Sequence, residues 1–280
     1  MNKTAALLLC TALFAQQKGT FTDMRDGKVY KTVKIGEQVW MAENLNYEAS
    51  DSKCYDNKPA NCNKYGRLYN WETAKTVCPN GWHLPANYEL DVLLRYVDCV
   101  SDTSILYRNP NSILYQNPNS NPNSFYSLLM VEEGKQLLAY PSGWYFPKWY
   151  ILYGCTNSTS DTSSYHLSRT AGKFLKATNG WNWNIYRKID GNGEDKFGFS
   201  ALPGGLFIYH SFFPKSLLSF EGGYYIYNTF SDAGQFGNWW SSSEYNSEFA
   251  DRLHMDYGNY HASRDPNSKK NSLSVRCVQD

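Results

Sequence analysis

A chain of 280 residues can bury a full hydrophobic core and is sized for one large domain or two modest ones. Its 27 basic and 26 acidic side chains leave a net charge of +1, which excludes the basic footprint that a nucleic-acid partner requires. Rings supply the bulk: 23 tyrosines, 14 phenylalanines and 9 tryptophans against only 19% charged residues, so both packing and half-exposed anchor positions must be largely aromatic.

The chain opens with one lysine and then an apolar run, Ala5 to Ala15, followed at once by Gln16, Gln17 and Lys18. Residues 1–15 read as a secretory signal peptide cleaved after Ala15. The competing reading is a buried N-terminal helix, but the run stops abruptly and is too short to span a bilayer. Cys10 invites a lipid anchor, against which Leu9 stands where a small residue is needed. No other stretch is long and apolar enough to cross a membrane, so the expected location is secreted or at the cell surface or outer membrane. Cleavage takes one base from 27 and one cysteine from seven, leaving basic and acidic side chains equal at 26 and six cysteines. An even number in an exported chain predicts disulfides, with fifteen pairings open.

In chain order, Asp26-Gly27 is a turn signal, Lys28 to Ile35 alternates like a strand, Gly36-Glu37 turns again, and Gln38 to Met41 begins a second strand. Val29, Val33, Ile35, Val39 and Trp40 are expected on the packed side of this hairpin. Residues 46–66 read as loop, and Cys54 and Cys62 within them are spaced to close a small disulfide ring. A zinc site is disfavoured, since no second close cysteine pair is present. Glu72 to Val77 predicts a short helix. After Pro85, Leu90, Leu93, Leu94 and Val97 recur on one face of a second helix with Asn87 as a possible N-cap. His83 lies between Trp82 and Leu84, and spacing ties no nucleophile to it, so it reads as a loop anchor.

From about 100 to 130 a low-complexity insertion repeats Asn-Pro-Asn-Ser at 109–112, 117–120 and 121–124, too little to stack as a solenoid. Cys99 and Cys155 flank it and are placed to staple its base. Gly134 to Trp144 resembles Gly172 to Trp181: each reads Gly-Lys-x-Leu-x-Ala, then a turn, then Gly-Trp, which predicts a short strand and a tight turn. Trp181 to Gly205 mixes tryptophan and phenylalanine with so much Gly, Asp and Asn that it predicts a long structured loop clamped to the core by its rings. Within it Asp190, Asn192 and Glu194 place oxygens at alternating positions, as the opening of a calcium loop does, but the glycine and terminal glutamate of an EF-hand are missing. The alternative is an Asp/Asn-Gly turn satisfied by its own backbone bonds.

Strands are expected within 206–220, 222–227, 236–244, 249–255 and 273–278. Trp239 and Trp240 must point to opposite faces of their strand, one into the core and the other under a loop or into solvent. Cys277 in the last strand is well placed to tie the C-terminal part to an early element, most simply Cys78.

Six segments together resemble the Fibrobacter succinogenes major paralogous domain, a family of exported bacterial proteins: FTDMRDGKVYKTVKIGEQVWMAENLNY (21–47), YGRLYNWETAKTVCPNGWHLP (65–85), GKFLKATNGWNW (172–183), GNGEDKFGFSALPGG (191–205), GNWWSSSE (237–244) and SVRCV (274–278). The resemblance implies one domain over 21–280 with an α+β, C-type-lectin-like fold: two helices, small twisted antiparallel sheets and long structured loops. The Cys78–Cys277 pairing mirrors the helix-to-last-strand disulfide of that fold. The calcium-binding triplets of sugar-binding lectins are absent, and so is the close cysteine pair of formylglycine-generating oxidases.

Two functions compete. An exported or cell-surface binding module, for polysaccharide or a surface protein, would use exposed rings, with Trp144, Trp149, Trp181, Trp183 and Tyr209 as candidate contacts. Core packing is the competing role, and for Trp181 and Trp239 the weightier one. A polysaccharide hydrolase would need two carboxylates across a cleft, for which Glu194 with Asp195, or Glu244 with Glu248, are available but not singled out. A structural envelope role without a small ligand is a third. No cofactor is implied beyond the calcium alternative.

Overall fold

The computed structural model describes residues 17–101, 167–209, 213–214, 224–225 and 228–280. The expected signal peptide, all but the first residues of the 100–130 insertion, the first Gly-Lys repeat, Trp144, Trp149 and Cys155 lie outside them, as does the side chain of Cys99. The first part runs β1 (Lys18–Thr22), β2 (Val29–Ile35), β3 (Gln38–Met41), α1 (Pro59–Tyr65), β4 (Leu68–Asn70), α2 (Trp71–Ala74), β5 (Trp82–His83) and α3 (Asn87–Ser101). Next come β6 (Leu167–Ser168), α4 (Ala171–Leu175), β7 (Trp183–Asn184), β8 (Ile189–Asp190), β9 (Leu206–Tyr209), β10 (Phe213–Pro214) and β11 (Tyr224–Tyr225). The last part holds β12 (Asn228–Ser231), β13 (Phe236–Glu244), β14 (Phe249–Asp256), β15 (Ala262–Ser268), β16 (Ser272–Ser274) and β17 (Val278–Gln279).

Two sheets dominate. One orders β1-β2-β3-β17-β5, and the larger orders β12-β9-β16-β13-β14-β15-β6 with β4 paired to β16. Most pairings are antiparallel, but β13 runs parallel to β16 through Trp239 and Ser274, so the large sheet is mixed. None of the sheets closes into a barrel. Four α-helices are present among the described residues where two were expected. The architecture is therefore α+β with mixed sheets, and the two-helix, antiparallel, C-type-lectin-like expectation is corrected.

Two of the four fall where helices were expected, α2 at the Glu72–Val77 stretch and α3 after Pro85, and α1 and α4 are the additions. Pro59 sits in the first turn of α1, where its missing N–H costs nothing, inside the stretch expected to be loop. Asn70 caps α2 by accepting from Thr73 N at 2.9 Å. The Gly172-Lys173 repeat forms α4 rather than the expected strand, and its glycine lies against the backbone of Tyr260 and His261, where a Cβ would come within 2.4 Å of His261 O.

The core divides across the large sheet. On one side the predicted face of α3, Leu90, Leu93, Leu94 and Val97, packs with Val33, Ile35, Trp40, Phe199, Trp239, Leu253 and Met255. On the other Trp240 joins Met41, Leu45, Tyr69, Trp71, Leu273 and Val275. Trp239 and Trp240 thus do face opposite ways, yet both are buried, each in its own cluster. Val29, expected in the packed hairpin side, is exposed, and Tyr30 is buried instead. Each buried indole among the described residues finds an acceptor: Trp40 Nε1 donates to Gln38 Oε1, Trp71 Nε1 to Ser241 O, Trp181 Nε1 to Ala201 O, Trp239 Nε1 to Asn44 Oδ1 and Trp240 Nε1 to Tyr69 O. Disulfides Cys54–Cys62 and Cys78–Cys277 complete the frame, the second across 199 residues of sequence.

Candidate binding surface

The 181–205 loop is held from beneath by two buried cations. Lys176 follows α4 and is fully buried. Its ammonium donates to Asp256 O at 2.7 Å, Asn259 O at 2.7 Å and Gly191 O at 3.2 Å, and it lies 4.7 Å from the centre of the Trp181 ring. Burial pushes its pKa down to about 8, against the pull of Asp256 and Asp190. Arg276 donates to Phe199 O, to Asn44 Oδ1 at 2.6 Å and to Ser200 O at 3.4 Å, with its guanidinium over the Phe199 ring. Backbone bonds finish the clamp: Ala177 N to Ala201 O, Gly193 N to Ala177 O, and Asn182 N to Gly234 O.

Above this base stands the β7–β8 hairpin. Trp183 pairs with Asp190 and Asn184 with Ile189. Alternation sends Asn184 inward, where Oδ1 accepts from Tyr186 N at 3.1 Å and Arg187 N at 2.9 Å and so shapes the turn. Arg187 Nη1 donates to Gly258 O at 3.3 Å, tying the tip to the turn after β14. The outward residues find no cover among the described residues: Trp183 is 56% exposed, Ile185 68% and Tyr186 87%. Tyr260 is exposed on the neighbouring turn, the one Lys176 grips through Asn259 O. The hairpin therefore exposes these rings on a base bonded to the core.

The predicted calcium residues are engaged within the protein. Asp190 Oδ1 accepts from Asn192 N at 3.1 Å and Asn192 Nδ2 at 2.9 Å, Asn192 Oδ1 accepts from Trp181 N at 3.0 Å, and Glu194 pairs with Lys173 at 2.9 Å. No group of three or more His, Cys, Asp or Glu side chains among the described residues could hold a metal ion. The cation seen beneath this turn is the ammonium of Lys176.

Three of the four carboxylates named for a hydrolase, Glu194, Asp195 and Glu244, are paired within the protein. Asp195 bonds Ser200 N and Oγ, both at 2.6 Å, and Glu244 pairs with Lys269. An open depression of about 360 Å³, lined by Arg25, Tyr47, Glu72 and Thr76 among others, contains a single carboxylate, Glu72, which pairs with Lys75 at 2.8 Å. His83 bonds Asp280 Oδ1 at 2.6 Å and Glu89 Oε1 at 2.8 Å. Burial alone would lower its pKa, but these two carboxylates raise it.

Residues 33–279 match the Fibrobacter succinogenes major domain. The chain belongs to the Fibrobacter succinogenes major domain family. No curated protein and no solved structure matches it. In this family member the predicted ring contacts separate. Trp181, 4% exposed, is a core residue and is removed from the surface set. Trp183 is on the hairpin, and Tyr209, 41% exposed, ends β9, where its N donates to Asn271 Oδ1 at 2.9 Å. Ile185 and Tyr186 were not expected at the surface. The signal for them was Asn184 at spacing two and three from Tyr186 and Arg187, the pattern of a side-chain-capped turn.

Proposed function

We propose that this family member is an exported binding module that holds polysaccharide on the 183–190 hairpin. What carries the reading is the outward set Trp183, Ile185 and Tyr186 on a hairpin whose base is bonded to the core. An indole face offers a sugar ring a flat apolar platform, and a fixed platform forfeits little ordering entropy on binding. Covering about 100 Å² of ring at roughly 25 cal/mol/Å² is worth about 2.5 kcal/mol, enough for one tryptophan to dominate a weak contact. The N-terminal apolar run supports export, and no helix of the described residues is long and apolar enough to cross a membrane.

The test is depletion of the mature protein from solution by insoluble polysaccharides, with and without chelator. The reading expects chelator-insensitive binding to at least one polymer, weakened by Tyr186→Ala and largely lost in Trp183→Ala. Retention that is indifferent to both substitutions would remove the hairpin from the contact.

A further inference from the structure

A second polar constellation lies on the large sheet, away from the hairpin tip. Asn238, His254 and Ser263 are direct cross-strand partners on β13, β14 and β15, so their side chains form one row on one face. One step along, Arg252 opposite Asp265 forms the next row. Asn238 Nδ2 donates to Gly205 O at 3.2 Å, which fixes the amide with Oδ1 facing the row. That oxygen accepts from Arg252 Nη1 at 2.8 Å and lies 2.9 Å from His254 Nδ1. An amide oxygen can only accept, so the proton of His254 sits on Nδ1, and in the neutral ring Nε2 carries a lone pair. Burial and Arg252 hold the imidazole below its ordinary pKa, against the pull of Asp265, Asp256 and Asp232. The ring is half-buried, and Nε2 has no hydrogen-bond partner among the described residues.

The rest of the cluster completes a complementary set. Arg252 Nε donates to Asp265 Oδ1 at 2.8 Å, and Ser263 Oγ to Asp265 Oδ2 at 3.3 Å. Arg252 retains donor capacity on Nη2, and Ser263 Oγ keeps lone pairs for an incoming donor. The Phe236 ring stands 5.2 Å from that of His254. The Arg252–Asp265 pair cancels its own charge, and Asp256 and Asp232 add negative charge near the ring, which disfavours an anionic ligand. An acceptor and a donor side by side, next to a ring and without net positive charge, match adjacent hydroxyls on an apolar ring face. A phosphate or carboxylate could accept from Arg252 Nη2, but it would meet the lone pair of His254 Nε2 and the Asp265 carboxylate beside it.

We infer that Asn238, Arg252, His254, Ser263 and Asp265, with Phe236, form a second ligand site for a neutral sugar, one hydroxyl of which donates to His254 Nε2. This site shares no side chain with the 183–190 hairpin and stands without it.

Long-range ¹H–¹⁵N spectra of the mature protein read the two ring nitrogens of His254 directly, with His254→Gln identifying the signal. The expected spectrum shows Nδ1 protonated and Nε2 bare. Methyl glucoside or methyl xyloside then shifts Nε2 saturably, in the wild type and in Trp183→Ala alike, while inorganic phosphate leaves it in place. Ser263→Ala should weaken that titration about fivefold, the value of one neutral hydrogen bond. A proton on Nε2, or an Nε2 signal that neither sugar moves, overturns the inference. If Trp183-dependent polysaccharide binding is intact in that case, the hairpin reading survives alone. A sugar-shifted Nε2 with no such binding leaves this site standing and removes the hairpin.

Discussion

Two side chains set the residue-scale expectations, and they titrate in opposite senses. Lys176 is the pin under the hairpin: its three N–H groups meet three backbone carbonyls. Lys176→Met should cost roughly 3 kcal/mol in urea unfolding, because buried carbonyls lose charge-assisted donors. Its folded pKa of about 8 lies below the ordinary 10.5, so the unfolded state holds more protons between those values. Stability from this group therefore rises as pH climbs from about 8 to 10.5, a rise that Lys176→Met should lack. His83 behaves in reverse. Its folded pKa is raised above 6.5, so its clamp on Glu89 and Asp280 is complete below that value and is lost as pH rises through the folded pKa. Melting curves in that window should fall with pH in the wild type and flatten in His83→Gln.

At the scale of elements, the two disulfides differ in leverage. In the chain-entropy account a bridge over 199 residues is worth about 5 kcal/mol and one over 8 about 2.5 kcal/mol. Cys78→Ser with Cys277→Ser should therefore lower the urea midpoint about twice as far as Cys54→Ser with Cys62→Ser. Both pairings were legible in the sequence, one from short spacing and the other from the placement of Cys277 and the family resemblance. So was the apolar face of α3, because four leucine and valine positions at helical spacing leave little choice. The helices α1 and α4 were harder to place, whereas α2 fell at the expected Glu72–Val77 stretch. Helices α1 and α4 run seven residues or fewer, too short for periodicity to declare. The parallel β13–β16 pairing was equally hidden, since it is a long-range choice that neither strand records. At the surface, core packing was already the weightier expectation for Trp181, and the structure buries it while leaving Trp183 exposed. Trp181 precedes the hairpin and is held inside by Ala201 O and the Lys176 ammonium, whereas Trp183 stands in β7 on the face opposite the inward Asn184.

At the scale of the molecule, adjacent tryptophans on β13 explain why the two cores should behave as one. Trp239 belongs to the α3 side and Trp240 to the Tyr69–Trp71 side, so neither cluster can dissolve without dislodging the same strand. We propose a single cooperative domain on that ground. Tryptophan fluorescence and far-UV circular dichroism should give coincident urea transitions, and two separated midpoints would show independent halves. The same rigidity underlies the functional reading: the loop from 181 to 205 presents rings because a lysine, an arginine and backbone bonds hold it to the sheet.

The most direct measurement is a pair of depletion isotherms on one insoluble polysaccharide, wild type beside Trp183→Ala, with a melting curve for each. Loss of about 2.5 kcal/mol of ring coverage predicts binding weaker by roughly fifty-fold or more at an unchanged melting temperature. Equal affinity in two equally folded proteins would contradict the account.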